Sequence, residues 1–515
     1  MNLVLRLVGV LVLGLGWAGQ MLRWLRVLQR EHYEASSLAR FLGRWSAPQV
    51  RSARSRTPGR PVTLSLVLFV IFLVTLLAGT LPLVVVVSAL YGVTCPWGLG
   101  LRGRTSPLVW TRRLGTVAAA GTVGSLLVVA LGVAAHRAWW GASLAVWTVP
   151  LTLDLAARVL APLENSRAGR FVEQARRRLD QVHPRVVAIT GSYGKTSTKN
   201  HLYDLLSGDG AVVATPKSFN NRAGLSRAIN ENLSDGTRVF IAEMGTYGPG
   251  EIAALSAWCV PEIAVITAIG PVHLERMGSL DVIEAAKFEI TTQARVVIVN
   301  ADDPRLAAWP TRLTSRVVRA GTGEDVDVRV REEGDEWVLD VPGYPTQRAP
   351  RVVGVNVTNV ACAIAAALEV GARVEEMGAR LRRLRPVANR SVVATAGSGV
   401  MVIDDTFNAN PASARAALDL LASLPISGRH WVVTPGLVEL GAEQHRENMA
   451  FARRVRERGA ELICVGRTNA RALVAGYGAE ASRVDTREEA VARVRAELGE
   501  GDAVLYLNDL PDHYP

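Results

Sequence analysis

A chain of 515 residues is too long for one domain. Its hydrophobic fraction of 49% and mean hydropathy of +0.19 exclude a uniformly soluble protein, because the apolar excess is gathered in the first 160 residues. The formal charge of +11 sits largely in two Arg-rich loops between apolar runs, with no zinc-finger spacing and no basic–aromatic interleaving, so membrane topology accounts for it and no nucleic-acid partner is expected.

The first apolar run, residues 3–22, is interrupted only by Arg6 and has no small-x-small cleavage site before the charged stretch. It reads as a transmembrane helix rather than a signal peptide. Residues 23–60 carry nine Arg against Glu31 and Glu34, a cytoplasmic marker. The run 62–96 is too long for one span, and Gly79-Thr80-Leu81-Pro82 near its middle can fold it into a hairpin of two short helices. A loop with Arg102, Arg104, Arg112 and Arg113 follows, then apolar runs at 114–135 and 139–160. Five spans with the N-terminus outside place both Arg-rich loops, and everything beyond residue 160, in the cytoplasm. Trp139, Trp140 and Trp147 read as interfacial anchors or packing.

From about residue 170, short β-rich runs alternate with Ala/Leu/Arg-rich helical stretches. Strands are expected at 186–190, 239–244, 263–269 and 296–300, and again at 401–405, 431–434, 462–465 and 503–507. Such alternation implies parallel sheets flanked by helices. Residues 321–355 read as a small β excursion, and 385–390, with Pro386, as a hinge. The expected fold class is an α-helical transmembrane region (1–165) followed by two α/β domains. These are a P-loop central domain with a mostly parallel sheet (166–385) and a Rossmann-like C-terminal domain (386–515).

Cys95, Cys259, Cys362 and Cys464 are scattered and form no CxxC pair, as expected of buried thiols in a reducing compartment. Lysine is more telling, because all four lysines, Lys195, Lys199, Lys217 and Lys287, fall between residues 195 and 287 of a chain otherwise reliant on arginine. A guanidinium stays protonated, so the retained lysines are candidates for work that needs a compact, deprotonatable amine. That weighs against chance for Lys195 and Lys287 and leaves Lys199 and Lys217 open.

The expected strand 186–190 runs into Gly-Ser-Tyr-Gly-Lys-Thr-Ser-Thr, residues 191–198, and then into a helix. Such a loop aims backbone N–H groups and the positive helix end at phosphate oxygens. Thr190, Gly191, Ser192, Tyr193, Gly194, Lys195, Thr196 and Ser197 are the candidate nucleotide-binding residues, with Lys195 reaching the β- and γ-phosphates and Thr196 holding Mg²⁺. The longer GxxxxGK[ST] pattern would need Gly where Ile189 stands, so the loop is of the shorter TGxxGK[ST] type.

ITGSYGKTST resembles the ATP-binding motif of the Mur ligases. SFNNRAG (218–224), AEMGTYGPGEI (242–252), PVHLERMGSLDVIEAAKFEI (271–290) and VNADDP (299–304) follow in that family's order, and IDDTFNANPAS (403–413) is most similar to its D-alanyl-D-alanine-adding members. The resemblance covers about residues 170–510. It implies an ATP- and Mg²⁺-dependent ligase that phosphorylates a carboxylate and joins it to an amine. Glu243 would be a Mg²⁺ ligand beside Thr196. His273 and Lys287, the latter as a CO₂-derived carbamate, would serve a second Mg²⁺. Asn300 would lie near the base, while Arg390 and Asp405 would reach ATP when the C-terminal domain closes. Asn220 and Asn221 would face the acid substrate, and Asn408 and Asn410 the nucleotide or the amine, with loop turns as the plainer role for Asn220, Asn221 and Asn410.

Two departures leave the coupled substrates open. Membrane spans stand where soluble members carry a uridine-nucleotide-binding domain, and YLNDLPDHYP replaces a Lys-Gly-Ser stretch. The partners implied are a small-molecule or lipid-linked peptide acid, an amino acid or dipeptide amine, and the cell membrane. A poly-γ-glutamate-type ligase is the alternative, with NANP against it. A transporter powered by a nucleotide domain is a further one, against which stand the missing LSGGQ signature and the few ionisable groups inside the spans.

Overall fold

The computed structural model describes residues 3–31, 33, 37, 38, 41, 60–96, 99–101, 108–208, 210–385, 392–406 and 409–508. Arg390, Asn408, the hinge beyond Arg385, Arg102, Arg104 and most of the first Arg-rich loop lie outside the described residues.

The apolar region is helical throughout its described parts: Leu3–Arg30, Arg60–Leu77, Leu81–Thr94, Arg112–Ala134, Ala138–Trp147 and Val149–Val182. The hairpin turns where expected, with Gly79 at a left-handed φ of +70° and Pro82 in the first turn of the second arm. Its end is held by polar groups from the first helix. Gln20 Nε2 donates to Cys95 O (2.6 Å), and Arg23 donates through Nη1 to Gly92 O (2.7 Å) and through Nε to Leu99 O (3.0 Å). The bonds to Gly92 O and Cys95 O satisfy carbonyls that a helix C-terminus leaves without intrahelical donors. Gly16 and Gly92 let the two backbones touch, and a β-carbon on Gly92 would overlap Gly16. Trp147 stacks on Tyr91 at 3.8 Å and donates to Ser88 Oγ (3.0 Å), so of its two expected roles it takes packing.

The expected span 139–160 is instead two helices, bent by 70° at Thr148. Pro150 lies in the first turn of the second, where its ring ends the preceding helical run. Among the described residues, Val4–Arg30 and Arg112–Ala134 are long and apolar enough to cross a membrane, and a third crossing results if the bent pair counts as one. The second hairpin arm, 14 residues, is shorter than the roughly 20 a span needs, so five full-length spans are not seen. Val149–Val182 also runs unbroken past residue 165, where the sequence suggested a boundary.

Two sheets follow. Strands β1 (Arg185–Thr190), β2 (Ala211–Ala214), β3 (Thr237–Glu243), β4 (Ile263–Ile266), β5 (Val296–Asn300), β6 (Arg316–Gly321), β7 (Val328–Glu333), β8 (Glu336–Asp340) and β9 (Gln347–Pro350) are ordered β2-β3-β1-β4-β5-β6-β7-β8-β9. Pairing is parallel through β7 and antiparallel beyond, which is the expected β excursion. Strands such as VVAI bury both faces, as parallel sheets covered on each side require. One face packs Leu202, Leu205 and the helix Val357–Glu369, and the other packs Leu225, Ile229 and Ile283. Strands β10 (Val392–Thr395), β11 (Met401–Asp405), β12 (His430–Thr434), β13 (Glu461–Val465), β14 (Ser482–Val484) and β15 (Ala503–Leu507) form the second sheet, ordered β10-β11-β15-β12-β13-β14 and parallel except at β10.

In the first sheet the chain leaves β1 toward β2 and β3 on one side and returns to β4 on the other. The carboxyl ends of β1, β3 and β4 therefore open on a topological switch point, where α/β sheets hold their ligands.

Candidate active site

The turn after Thr190 is the loop expected from the sequence, and the helix Lys195–Leu206 begins directly behind it. Gly194 caps that helix at φ +78°, and a β-carbon there would run into the Asn359 carboxamide. Gly194→Ala should therefore displace the loop. We expect nucleotide affinity to fall at least about 10-fold, a loss of ~1.4 kcal/mol, in a titration with fluorescent ADP.

The loop is braced from β4. Ser192 N donates to Ala268 O (2.7 Å), and Ser192 Oγ donates to Gly270 O (2.9 Å) while accepting from Gly270 N (2.8 Å). Thr267 Oγ1 donates to Tyr193 O. Ser192 thus holds the loop's shape through its side chain. Burial pushes the Tyr193 hydroxyl above its ordinary range, with Asp303, Arg415 and Glu447 acting on it more weakly. Arg415 and Glu447 come from the helices Pro411–Ser423 and Gln444–Glu457 of the second sheet, which therefore face the phosphate loop. Lys195 Nζ donates back to Gly191 O (2.6 Å), and Thr196 and Ser197 follow it on the first helical turn, half-buried.

Glu243 closes β3 beside the loop, almost wholly buried. Its Oε1 accepts from Asn220 Nδ2 (3.1 Å), and its Oε2 lies 3.2 Å from Lys199 Nζ, which also donates to Lys217 O. Asn220, expected to face a substrate, instead sits on this carboxylate. Lys199 was left open by the sequence, and lysine scarcity was the signal that could have singled it out. Burying a carboxylate is costly unless it is paired and hydrogen-bonded, and here it is both.

Lys287 is fully buried on the helix Leu280–Phe288. Burial is the larger cause, and the charge of Lys195 the second, that drives its ammonium well below the usual lysine range. The structure thus brings Lys195 and Lys287 into one electrostatic neighbourhood, and the burial there favours the neutral amine of Lys287.

His273 follows β4 in a left-handed conformation (φ +55°) at the start of the helix Leu274–Met277. Its Nδ1 is 2.5 Å from Glu439 Oε2, and its ring is 4.6 Å from that of Tyr247. The sequence did not single out Glu439, because a contact over 166 residues has no local signature. A carboxylate on one ring nitrogen fixes the tautomer that leaves Nε2 free to ligate.

Other expectations resolve into structural work. Asn300 Nδ2 donates to Thr267 O (2.9 Å) and its Oδ1 accepts from Asp302 N (3.0 Å), so its carboxamide ties β5 to the segment after β4. Asn221 caps the helix Arg222–Asn232, accepting from Gly224 N (2.9 Å). Asn410 caps Pro411–Ser423 in a reciprocal capping box with Ser413. Asn410→Ala should lower stability by about 1 kcal/mol in a urea unfolding series. Asp405 ends β11, buried, with its backbone O accepting from Asn508 N (3.0 Å).

The residues fit a magnesium–nucleotide complex. The Thr190 and Thr198 hydroxyls are buried at the two ends of the loop with no hydrogen-bond partner, and Glu243 ends the strand paired with β1. Among the described residues no three His, Cys, Asp or Glu side chains cluster as a metal cage. Mg²⁺ does not need one, since it is commonly held by one or two carboxylates together with substrate phosphates.

Residues 189–367 match the family described as the Mur ligase middle domain, and 389–507 that described as the Mur ligase, glutamate ligase domain. The chain is 36% identical over 362 residues to the UDP-N-acetylmuramoyl-tripeptide–D-alanyl-D-alanine ligase of Mycobacterium leprae, covering 62% of this chain and 70% of that one. It is 29% identical to the Escherichia coli enzyme of the same name, over 66% of this chain and 76% of that one. The crystal structure of MurF from Acinetobacter baumannii superposes with a TM-score of 0.59 at 27% identity, over 66% of this chain and 77% of that chain. That of MurF ligase from Thermotoga maritima in complex with ADP shares the fold, with a TM-score of 0.59 at 24% identity over 66% and 80%. A likeness this extended, carried by sequence and fold alike, makes the chain a member of the Mur ligase family, the ATP- and Mg²⁺-dependent peptide ligases.

Proposed function

We propose that this protein joins the terminal carboxylate of a cell-wall precursor peptide to D-alanyl-D-alanine at the cytoplasmic face of a membrane. The single observation that carries the reading is the phosphate loop bearing Lys195, with the buried Lys287 in the same electrostatic neighbourhood. In the proposed reaction a carboxylate oxygen attacks the γ-phosphorus and ADP leaves. The amine nitrogen then attacks the acyl phosphate carbon, and the tetrahedral adduct expels phosphate.

The barrier lies in charge on the transferring oxygens, so positioned cations supply most of the catalysis. Loop N–H groups and Lys195 hold the terminal phosphates. Thr196 and Glu243 would hold Mg²⁺, which when bound neutralises the phosphate oxygens. Lys199 and Asn220 hold the Glu243 carboxylate in place. Lys287, whose burial favours loss of its proton, would bond its nitrogen to CO₂ and release a second proton, turning a cation into an anion that, with His273, would hold a second Mg²⁺. Arg390, Asp405 and Asn408 would complete the site on closure.

The apolar helices support the membrane part of the reading. Leu7, Val10, Leu11, Leu15, Leu127 and Leu131 all expose more than half of their surface on them, which water penalises and lipid does not. The hairpin returns the chain to the side it left whether or not it crosses fully. With the bent pair counted as one crossing, both Arg-rich loops and both α/β domains share one side, the cytoplasmic one by the positive-inside rule. With these helices ahead of the phosphate loop, the acid is proposed to be lipid-linked. The test is phosphate release by full-length protein in detergent, with Mg-ATP, D-Ala-D-Ala and muramoyl tripeptide supplied either UDP-linked or lipid-linked. Release that needs both acid and amine, and is faster with the lipid-linked acid, is expected. Release that ignores the acid would overturn the proposal.

A further inference from the structure

We infer that the apolar N-terminal region is a working part of the catalytic centre: Glu31, at the end of its first helix, positions His273 through Arg276 and Tyr247. This rests on the reading that His273 serves the phosphoryl-transfer site. Arg276 Nη2 lies 3.1 Å from Glu31 Oε2, with the two side chains only 18% and 4% exposed. An ion pair so far from water persists only where both charges are held in place, and removing one strands the other. Arg276 belongs to the one-turn helix that His273 begins, and its N–H donates to His273 O (2.9 Å). Anchoring Arg276 therefore anchors the backbone on which the left-handed His273 turns. The Arg276 guanidinium also lies over the Tyr247 ring, 5.1 Å from its centroid, and that ring rests on the imidazole. Arg30 adds its charge to the same tyrosine from the helix end.

The imidazole is thus held on two sides. Glu439 fixes Nδ1 from the C-terminal side, while Glu31, Arg276 and Tyr247 fix the ring and backbone from the N-terminal side. Loosening either hold should cost the ring its alignment while leaving the phosphate loop intact, since Lys195 and Ser192 are braced by other residues. The membrane-facing helices then set how well the site gathers its metal, so lipid around the first helix can be felt at the chemistry.

The test uses the full-length chain in detergent, with fluorescent ADP and Mg²⁺ as probes, so that it needs neither acid nor amine. Arg276→Glu and Glu31→Arg should each raise the Mg²⁺ needed for half-maximal nucleotide binding about 10-fold, the loss typical of orienting groups around a metal. The exchange of both charges, Glu31→Arg with Arg276→Glu, should return it to within about threefold of the parent. In a His273→Asn background, Arg276→Glu should add nothing. Singles that bind as the parent does, an exchange no better than the singles, or a full additional loss in the His273→Asn background would each overturn the inference. Should a single variant fold poorly, recovery in the exchanged protein decides the matter by thermal unfolding and Mg²⁺ dependence together. A parent that binds Mg-ADP normally but turns over no ATP with any acid would fault the proposed substrates and leave this coupling to be judged by the binding data.

Discussion

Lys195→Ala is expected to lower ATP turnover by about 10²–10³-fold, the effect of removing one positioned donor from a developing charge. The ammonium now folds back onto Gly191 O, so it lies within the loop and need only swing outward to meet a phosphate. Lys195→Arg should recover little. A guanidinium is larger and planar, and the loop's turns are closed by contacts of Gly191 and Gly194 that leave no spare volume. Removing the Lys195 charge should also let the Lys287 ammonium recover part of its ordinary range, but only part, because burial is the greater cause of its shift. Turnover under acid and amine, with nucleotide affinity measured alongside, checks this. Turnover within about threefold of the parent would contradict it.

Lys287→Ala should cost a comparable factor, and acetate or bicarbonate should restore part of the activity by supplying a small anion to the vacated space. A purely structural lysine would respond to neither. The same residue predicts a pH signature in stability. Its folded-state amine titrates below the ordinary 10.5, so between the two values the unfolded chain binds the extra proton. Stability contributed at this site therefore rises with pH through that window, and at neutral pH burying the lysine is a cost. Lys287→Met, close in volume, should raise the melting temperature in CO₂-free buffer at pH 7, with the gain shrinking as pH approaches 10.5. A gain that does not change with pH would place the amine in water rather than in the core.

Much of the α/β architecture was legible because parallel strands buried on both faces must be written as continuous β-branched runs. VVAIT, VVIVN and the strands β12, β13 and β15 show this directly. The strands that escaped are β2, with its exposed first residue, the three-residue β14, the edge strand β10, and β6, whose RVVRAG run is interrupted by arginines. Their pairing is decided by neighbours rather than by their own pattern. The helical region was legible in composition but not in length. The break at Thr148 depends on Pro150 meeting the end of a preceding turn, and a hydropathy run does not register it.

At the site, the loop and the two lysines announced themselves by spacing and by rarity. Glu439, Asn359 and Thr267 did not, since each acts across long stretches of chain on a backbone turn or a ring nitrogen. The asparagines taught the opposite lesson. Asn221 and Asn410 sit in motifs that look functional, yet each is spent on starting a helix. The transporter alternative falls with membership of a ligase family.

The central claim is that ATP activates an acid by phosphorylating it. It is tested most directly by ¹⁸O transfer, using muramoyl tripeptide, lipid-linked or UDP-linked, with its terminal carboxylate labelled, together with D-Ala-D-Ala and Mg-ATP. One ¹⁸O is expected in each phosphate released, carried over when the acyl phosphate collapses. Phosphate free of label, produced at the same rate as ADP, would mean that water rather than an acid receives the phosphoryl group.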